Sequence, residues 1–370
     1  MKKYRTGVIG ATGTVGRRIC ALLENHPFFK LTAVAASARS AGKTYLEAVS
    51  ERDYLSCPHA EPPPSAANLT VFNGETELER IAAETDFVFC AVNMEKNAAR
   101  ELEERYAKAE LPVISNNSAN RFTPDVPTVI PEVNPEQLEI IPFQRKRLGT
   151  KRGFIAAKSN CSIQTFVPLL EPLRKFGLRA AAVCTYQAVS GAGKTLDSMP
   201  EIYDNVIPYI AGEEEKSETE PMKIWGSVLN GAIRPADSPK ISAQCVRVPV
   251  SDGHTAAVFV SFYDSSGGSC GRKPTREDII SAWKNFRGEP QRLHLPSAPE
   301  QFIKYFYEND RPQPRLDRLA GGGMSVCAGR LREDKVFDYK FVSLAHNSLR
   351  GAAGGSVLLA ELLAAKGYLD

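Results

Sequence analysis

The sequence predicts an α/β fold of two domains, the first built on a doubly wound parallel sheet and the second on a mixed, mostly antiparallel sheet. The chain has 370 residues, more than the ~250–300 that one hydrophobic core accommodates. Up to about residue 115, short apolar runs alternate with helical patterns, as in strand–helix–strand repeats. From about residue 154, longer runs of alternating apolar and polar residues replace them, which indicates half-buried antiparallel strands.

The elements of the first domain follow its apolar runs. Strands are expected at residues 6–9, 31–36, 87–92 and 112–115, and helices at 17–24, 78–82 and 97–109. The proline-rich stretch 57–67 interrupts this pattern and is expected to be an excursion at the surface.

The elements of the second domain follow its alternating runs. Strands are expected at residues 179–189, 244–250, 255–262, 326–331 and 340–345, and helices at 166–173 and 351–366. The acidic and polar stretch 212–220 is expected to be a loop.

Composition and charge exclude several classes of function. The net charge is +3, and no window of the sequence approaches the ~18–20 uninterrupted apolar residues of a membrane span. We therefore expect neither a nucleic-acid partner nor a membrane, and, without an export signal, a cytoplasmic protein. None of the eight cysteines has a CxxC or other metal-like spacing. No metal site is predicted, and the cysteines are expected to be reduced thiols.

A glycine loop lies between the first strand and the first helix. It contains Gly10, Thr12, Gly13, Thr14, Val15 and Gly16. Glycine permits the tight turn and lets the backbone approach a pyrophosphate, which the free N–H groups of the helix N-terminus bind. Glycines kept for packing alone are the alternative. The position in a first βα unit favours a Rossmann-type dinucleotide-binding domain.

The residues after the second strand indicate which dinucleotide this domain binds. An NAD site places Asp or Glu there to hold the ribose hydroxyls. This chain has hydroxyls and cations instead: Ser37, Arg39, Ser40 and Lys43. Because these groups suit a 2′-phosphate, we predict NADP as the cofactor; an ordinary basic surface loop is the alternative.

Cys161 lies in a polar Ser-Asn-Cys-Ser turn and is the candidate nucleophile. It follows an apolar strand and precedes a helical run, so a helix N-terminus is expected to stabilise its thiolate. Asn160, Ser162 and backbone N–H groups could face a developing oxyanion. A lone cysteine is more often a core residue, but the polar turn favours the functional interpretation.

His254 is the candidate base among the five histidines. It lies between two expected strands, and Arg247 lies seven residues earlier on the incoming strand. The pair could bring a base and a carboxylate-binding group to one end of the sheet. A histidine that caps a loop is the alternative.

These motifs together resemble the aspartate-β-semialdehyde dehydrogenases, in particular the branch typical of archaea and fungi. The resemblance runs nearly end to end, through GATGTVG (10–16), SNCS (159–162), TYQAVSGAG (185–193), NVIPYIAGEEEK (205–216), RVPVSDGH (247–254) and HNSLRGAAGG (346–355). It implies a glyceraldehyde-3-phosphate-dehydrogenase-like architecture. Residues 1–156 would bind the dinucleotide, residues 157–348 would form the catalytic and dimerisation domain, and a helix at 349–370 would complete the first domain.

The resemblance also implies a reaction. It is the NADPH-dependent reductive dephosphorylation of L-β-aspartyl phosphate to L-aspartate-β-semialdehyde through a cysteine thioester, towards lysine, threonine and methionine. The implied partners are the small-molecule substrate, inorganic phosphate and further copies of the chain in a homodimer or homotetramer.

Catalytic roles carry over to four residues. Cys161 would be the nucleophile and His254 the acid/base. Asn160, with the N–H of Cys161, would help to hold the oxyanion. Gln187 would orient the substrate; the alternative is that it pairs with a neighbouring strand.

Binding roles carry over to eight more residues. Arg247 would clamp the substrate α-carboxylate, Glu220 would meet its amino group, and Lys223 and Arg121 would bind phosphate. Glu220 and Lys223 could instead be a solvated pair on a helix, and Arg121 an ordinary loop arginine. The implied cofactor contacts are Ser190, Gly191, Gly193 and Asn347, of which the last could merely cap the final helix.

Two positions depart from the family pattern, and alternative functions stay open. Asn117 stands where the family more often has Ala, and Asn120 where it more often has His. A malonyl-CoA reductase and an N-acetylglutamyl-phosphate reductase would share the thiolate chemistry, but Glu220 favours a substrate with a free amino group. A catalytically silent NADP-binding protein is the third alternative.

Overall fold

The computed structural model of the chain describes residues 3–51, 61–264 and 272–370. This part of the chain contains a seven-stranded sheet, a six-stranded sheet and a two-stranded ribbon. Of the predicted surface excursion, residues 57–60 lie outside the described residues, and residues 61–67 contain neither helix nor strand.

The first sheet is parallel, as predicted. Its strands are β1 (Tyr4–Ile9), β2 (Phe29–Ala36), β3 (Val71–Asn73), β4 (Phe87–Cys90), β5 (Val113–Ser115), β6 (Thr128–Val129) and β7 (Ile155–Lys158). They lie in the order β3-β2-β1-β4-β5-β7-β6. Between β1 and β4 the strand order reverses direction, and doubly wound sheets bind ligands at the carboxyl ends of such strands.

Helices connect these strands. They are α1 (Thr14–Leu22), α2 (Tyr45–Ser50), α3 (Leu78–Glu84), α4 (Lys96–Lys108) and α5 (Ile141–Leu148). The expected helix at 17–24 begins three residues earlier, at Thr14, directly after the glycine loop.

The second sheet is mixed, as predicted. Its part of the chain contains the strands β8 (Leu178–Gln187), β9 (Ser227–Leu229), β10 (Ala232–Arg234), β11 (Lys240–Arg247), β12 (His254–Phe262), β13 (Ile303–Phe306), β14 (Val326–Glu333) and β15 (Tyr339–Ala345). The sheet order is β11-β8-β12-β15-β14-β13, and β9 pairs with β10 as the ribbon. The pairs β8–β12, β12–β15 and β14–β15 are antiparallel, whereas β8–β11 and β13–β14 are parallel.

The remaining helices are α6 (Val167–Leu170), α7 (Glu213–Ile224), α8 (Arg276–Asn285), α9 (Glu289–Arg292), α10 (Pro314–Asp317) and α11 (Ala353–Ala365). The expectation of a continuous helix at 166–173 is wrong. One α-helical turn lies there, followed by a 3-10 segment at Glu171–Phe176. Pro172 has no backbone N–H to continue the α-helical hydrogen bonds.

The expectation of a loop at 212–220 is also wrong, because this stretch begins α7. Gly212 adopts a left-handed conformation at the N-cap, and three glutamates occupy the first turn, where the helix dipole favours negative charge. The helix buries mainly polar residues, among them Glu213, Ser217 and Glu220. Hydrophobic periodicity, the signal used to predict helices, is therefore missing from this segment.

The C-terminal helix α11 packs against α1. Its Val357 and Leu358 share one hydrophobic core with Val8 and Phe89 of the first sheet. The predicted domain boundary at residue 156 falls inside β7, so the chain leaves the first sheet after Lys158.

Candidate active site

Four strand ends meet at the candidate active site. Cys161 follows β7 after two residues, Gln187 ends β8, Arg247 ends β11, and His254 begins β12. The parallel register of β8 and β11 places Gln187 opposite Arg247. Because β12 runs antiparallel to β8, its first residue lies beside the last residues of β8. Residues that are far apart in the sequence are thereby brought together at one end of the strands of the second sheet.

His254 faces Cys161 with a defined ring nitrogen. Its Nε2 lies 3.7 Å from Cys161 Sγ, and its Nδ1 accepts a hydrogen bond of 3.1 Å from the backbone N–H of Ala188. An accepting Nδ1 carries no proton, so this bond assigns the neutral ring its proton on Nε2. Burial, with Arg247 as the next cause, lowers the pKa of His254 to about 3. Near neutral pH the ring is therefore uncharged and directs its N–H at the sulfur.

The Cys161 thiol is less acidic than the sequence suggested. Burial, followed by the negative charge of Glu213, raises its pKa, while Lys158, Arg121 and Arg247 act in the opposite direction. The expected α-helix N-terminus behind Cys161 is absent, because the next element is a 3-10 turn at Ile163–Thr165. Stabilisation of the thiolate by a helix dipole was therefore a wrong expectation, and nearby positive charge has to supply it.

The site also contains Glu213 and Lys216, which the sequence interpretation missed. The Glu213 carboxylate accepts hydrogen bonds from Asn160 Nδ2 at 3.1 Å, Gln187 Nε2 at 3.3 Å and Lys216 Nζ at 2.9 Å. Burial raises the pKa of Glu213, but Lys216 and the two amides outweigh it and leave the pKa below its usual value. The usable signal was the spacing Glu-x-x-Lys at 213–216, which repeats at 220–223.

Glu220, Lys223 and Arg121 are bonded within the protein. Arg121 Nη1 donates to Glu220 at 3.0 Å, and the other carboxylate oxygen of Glu220 accepts the backbone N–H of Asn160 at 2.8 Å. Lys223 Nζ donates to the backbone carbonyls of Arg121, Thr123 and Val126. All three are buried, so the alternative of a solvated helix pair is wrong. Glu220 supports the loop that carries Cys161.

Asn160 and Ser162 hold the turn around the nucleophile. The Asn160 side-chain oxygen accepts the backbone N–H and the hydroxyl of Ser162, both at 2.7 Å. The Asn160 side-chain amide donates to Glu213. Both the oxygen and the nitrogen of the Asn160 side-chain amide therefore hold the turn in place.

Arg247 and His254 share a wall formed by Gly191. Arg247 Nη1 donates to Ala188 O at 2.8 Å. A Cβ on Gly191 would come within 2.9 Å of both Arg247 Nη1 and His254 Cε1, so a side chain there would displace both residues.

The remaining predicted cofactor contacts adjoin this wall. Asn347 Nδ2 donates to Ser190 Oγ at 2.8 Å, and Asn347 Oδ1 accepts the N–H of Gly253 at 2.8 Å. Gly193 adopts a φ of +68°. Asn347 therefore bridges the segment after β8 to the residue before His254, and it is not the N-cap of α11.

The glycine loop forms a close cradle at the carboxyl end of β1. Gly10 has a φ of +85°, and a Cβ on Gly16 would come within 2.1 Å of the Gly10 carbonyl oxygen. Thr12 is buried, while Gly13, Thr14 and Val15 are half-buried where α1 begins. This tight turn at a helix N-terminus fits a dinucleotide pyrophosphate.

The residues after β2 fit a 2′-phosphate in their chemistry. Ser37 and Arg39 are exposed, Ser40 is buried, and Lys43 forms an ion pair of 2.5 Å with Glu51. No carboxylate side chain lies in the segment from Ser37 to Lys43.

The two departures from the family pattern have a common partner. Asn117 Nδ2 and Asn120 Nδ2 each donate to the buried carboxylate of Glu103 at 2.7 Å, and Ser115 Oγ also donates to it. Burial raises the pKa of Glu103. The two asparagines thus donate hydrogen bonds to a buried carboxylate, and Asn120 directly precedes Arg121 in the sequence.

Residues 3–51, 61–264 and 272–370 contain no group of three or more His, Cys, Asp or Glu that could hold a metal ion. Within the same ranges, no helix combines the length and the apolar character needed to cross a membrane.

Comparison with known proteins gives matches over nearly the whole chain. The family model "Semialdehyde dehydrogenase, NAD binding domain" matches residues 5–141, and "Semialdehyde dehydrogenase, dimerisation domain" matches residues 170–350. Aspartate-semialdehyde dehydrogenase of Aspergillus fumigatus is 42% identical over 375 residues, which cover 99% of each chain. The chain belongs to the aspartate-semialdehyde dehydrogenase family. The enzyme of that name from the archaeon Methanothermobacter thermautotrophicus is 44% identical over 360 residues, covering 96% of this chain and 98% of that one.

Solved structures of the aspartate-semialdehyde dehydrogenase family share the fold. The enzyme of Candida albicans, solved with NADP, matches with a TM-score of 0.85 and 38% identity over 99% of this chain and 100% of that one. Aspartate-semialdehyde dehydrogenase II of Vibrio cholerae, solved with ASA, matches with a TM-score of 0.73 and 26% identity over 99% of each chain. The resemblance to the archaeal and fungal branch is confirmed.

Proposed function

We propose that this protein reduces L-β-aspartyl phosphate to L-aspartate-β-semialdehyde with NADPH and releases inorganic phosphate, in the biosynthesis of lysine, threonine and methionine. The supporting observation is the Cys161–His254 pair, 3.7 Å apart, in a chain 42% identical over nearly its full length to an enzyme of that name. The pair lies beside Gln187, Arg247 and Glu213, which together offer an amide, a cation and an anion to one small substrate.

The substrate charges match the side chains around Cys161. Arg247 would clamp the α-carboxylate through its planar guanidinium. Glu213, rather than Glu220, would meet the amino group, because it lies against Asn160 and Gln187. Lys216, whose side chain is 31% exposed, would attract the phosphate in place of Lys223. The phosphate contact of Arg121 stays a prediction.

The chain would use Cys161 as a nucleophile. Its thiolate attacks the acyl carbon, the bond to the phosphate oxygen breaks, and a thioester forms. When bound, NADPH would supply the hydride that reduces the thioester carbon. The thiolate then leaves as the aldehyde forms, so the enzyme regains its starting state.

His254 would stabilise the oxygen that becomes negatively charged at each addition. Its Nε2–H faces the sulfur and would donate a hydrogen bond to the oxyanion. The thiolate is consumed and regenerated without a proton, and the departing phosphate takes its one proton from solvent. The ring can therefore keep its proton on Nε2 throughout. Gln187 would orient the acyl group, and the N–H of Cys161 would be the second oxyanion donor.

The glycine loop and the segment after β2 would hold NADP. The backbone from Gly10 to Gly16 would bind the pyrophosphate, and Ser37, Arg39, Ser40 and Lys43 the 2′-phosphate. Ser190, Gly191, Gly193 and Asn347 would contact the nicotinamide end, because Asn347 joins Ser190 to the segment before His254.

The match to a dimerisation domain over residues 170–350 supports a homo-oligomer. We propose a cytoplasmic homodimer, or a homotetramer built from it, through the open face of the second sheet. On β8, Val183 points into the core, whereas Cys184 and Tyr186 stay partly exposed on the opposite face.

A direct absorbance assay of NADPH formation tests the proposed function. Purified protein receives NADP and L-aspartate-β-semialdehyde, with and without phosphate. NADPH formation that depends on phosphate is the expected result. If NADPH does not form, and if NADPH supplied in a separate mixture is oxidised when malonyl-CoA is added, the malonyl-CoA alternative is correct. If NADP binds without turnover of either substrate, the silent-protein alternative is correct.

A further inference from the structure

Lys158, the last residue of β7, is a buried amine with no role in the chemistry above. It is 2% exposed and is among the largest fully buried side chains. Its Nζ donates to the backbone carbonyl of Ser159. It forms no ion pair with any carboxylate in residues 3–51, 61–264 and 272–370. A buried ammonium without a counter-ion is costly, so its presence calls for a functional explanation.

Lys158 packs against the first turn of α11, and Cys161 packs against the segment directly before this helix. A Cβ on Gly355 would lie 3.4 Å from Lys158 Cε, and a Cβ on Gly351 would lie 2.8 Å from Cys161 Cβ. Gly351 and Gly355 are four residues apart; Gly355 lies in the first turn of α11, and Gly351 precedes the helix. The lysine stem and the nucleophile therefore lie along one wall.

Among the groups around Lys158, Cys161 in its thiolate form is the anion without another partner. Burial is the main cause that lowers the pKa of Lys158 to about 7; Arg121 and Arg350 act in the same direction, and Cys161 and Glu220 oppose them. Glu220 is already bonded to Arg121. Arg350 is paired with Glu132 in a fully buried ion pair.

The other cations that face Cys161 are engaged elsewhere. Lys158, Arg121 and Arg247 each favour its thiolate, whereas Glu213 disfavours it. Arg121 is neutralised by Glu220, and Arg247 would be neutralised by the substrate carboxylate under the proposed function. His254 is uncharged and contributes only an N–H dipole. Lys158 is then the cation of this set whose charge stays uncompensated when substrate binds.

We propose that Lys158 is a positioning residue for the reaction, whose ammonium charge favours the thiolate form of Cys161. The proposal rests on the proposed function in that Cys161 is the nucleophile. The lysine acts through its charge alone, so the ammonium need not touch substrate or cofactor, and no proton moves from the ring of His254. The buried charge on Lys158 lowers the stability of the fold, but it favours the reactive thiolate of Cys161.

The test is the pH dependence of Cys161 alkylation in the full-length protein. Wild type, Lys158→Met, Lys158→Arg and the exposed control Lys146→Met are treated with iodoacetamide, and the Cys161 peptide is quantified by mass spectrometry. Since a nearby opposite charge lowers a pKa by about 1–3 units, Lys158→Met should raise the alkylation pKa by about one unit or more. Lys158→Arg should retain much of the wild-type profile, and Lys146→Met all of it.

A second readout separates this electrostatic role from a structural one. Lys158→Met should lower kcat at neutral pH about tenfold, as a one-unit shift implies, with little change in KM for the semialdehyde. Its melting temperature should equal or exceed that of the wild type, because a buried unpaired charge is removed. If the Met variant does not fold, Lys158→Gln replaces it.

Two results would overturn the proposal. One is an alkylation profile that is unchanged in a folded Lys158 variant. The other is a loss of activity that accompanies a lower melting temperature without a shift in alkylation pKa. Failure of the proposed function has a different signature, because a wild-type protein without phosphate-dependent NADPH formation can still be alkylated. The alkylation profile then tests the charge on Lys158 independently.

Discussion

The backbone N–H of Ala188 donates to Nδ1 of His254 over 3.1 Å, and this bond determines which ring nitrogen carries the proton. With Nδ1 as acceptor, the neutral ring presents Nε2–H to Cys161. In a positively charged ring Nδ1 would also carry a proton. Its N–H would then face the N–H of Ala188, and the hydrogen bond between them would be lost. The geometry thus presents His254 to Cys161 as a hydrogen-bond donor, whereas the family resemblance implies an acid/base role.

The first prediction concerns pH. Because the folded-state pKa of His254 is about 3, activity should show no inflection from this ring near its ordinary value of about 6.5. Below about 6.5 the unfolded ring binds a proton that the folded ring excludes, so stability is lost as pH falls from there towards 3. His254→Asn keeps a side-chain acceptor and removes the titration. Its melting temperature should fall less than that of wild type between neutral pH and pH about 4.5, as measured by calorimetry. An equal fall in both proteins would contradict the assignment.

The second prediction distinguishes the two Glu-x-x-Lys pairs. Glu213→Gln removes the charge that would meet the substrate amino group and should raise KM for the semialdehyde by about tenfold or more, the scale of a charged hydrogen bond. The matched control is Glu215→Gln, an exposed residue on the same helix, which should leave steady-state kinetics unchanged. A normal KM for Glu213→Gln would remove Glu213 from the substrate site.

The third prediction concerns the carboxylate clamp. Arg247→Lys keeps the charge but loses the planar pair of donors, so kcat/KM for the semialdehyde should fall by about 10–100-fold. NADP affinity, measured by fluorescence titration, should stay the same. Arg234→Lys, at an exposed position of β10, serves as the control. Wild-type kinetics in Arg247→Lys would show that another residue binds the carboxylate.

The fourth prediction concerns cofactor choice. Reversing the charges with Arg39→Glu and Lys43→Glu should weaken NADP binding by about tenfold or more, while NAD binding changes little. The reason is that NAD lacks the 2′-phosphate these cations would bind. Calorimetric titration with both dinucleotides measures the ratio directly. Equal losses for NADP and NAD would place 2′-phosphate recognition elsewhere.

The sequence predicted the parallel sheet and its glycine loop well, because both depend on local patterns. Gly10 and Gly16 occupy positions where a Cβ would meet backbone atoms, and such local requirements are visible in a motif. The strand order and the convergence of Gln187, Arg247 and His254 depend on pairing between distant segments. The family resemblance implied the roles of these three residues, but no strand order was predicted.

The helix α7 marks the limit of sequence interpretation. It buries polar groups for binding and support, so the hydrophobic period that predicts a helix is missing. Glu213 was consequently overlooked in an expected loop, and the substrate-binding role that we propose for it was given to Glu220. Asn117 and Asn120 have a similar explanation, since their common partner Glu103 lies 14 and 17 residues away. No local pattern connects these three residues.

The most direct test of the central claim is to trap the acyl group on Cys161. Protein, NADP and L-aspartate-β-semialdehyde are mixed without phosphate, and the enzyme is quenched and digested for mass spectrometry. The account predicts a burst of about one NADPH per chain, an acyl adduct on the Cys161 peptide that added phosphate removes, and neither in Cys161→Ala, which still binds NADP. Sustained NADPH formation by Cys161→Ala, or an adduct on another residue, would contradict it.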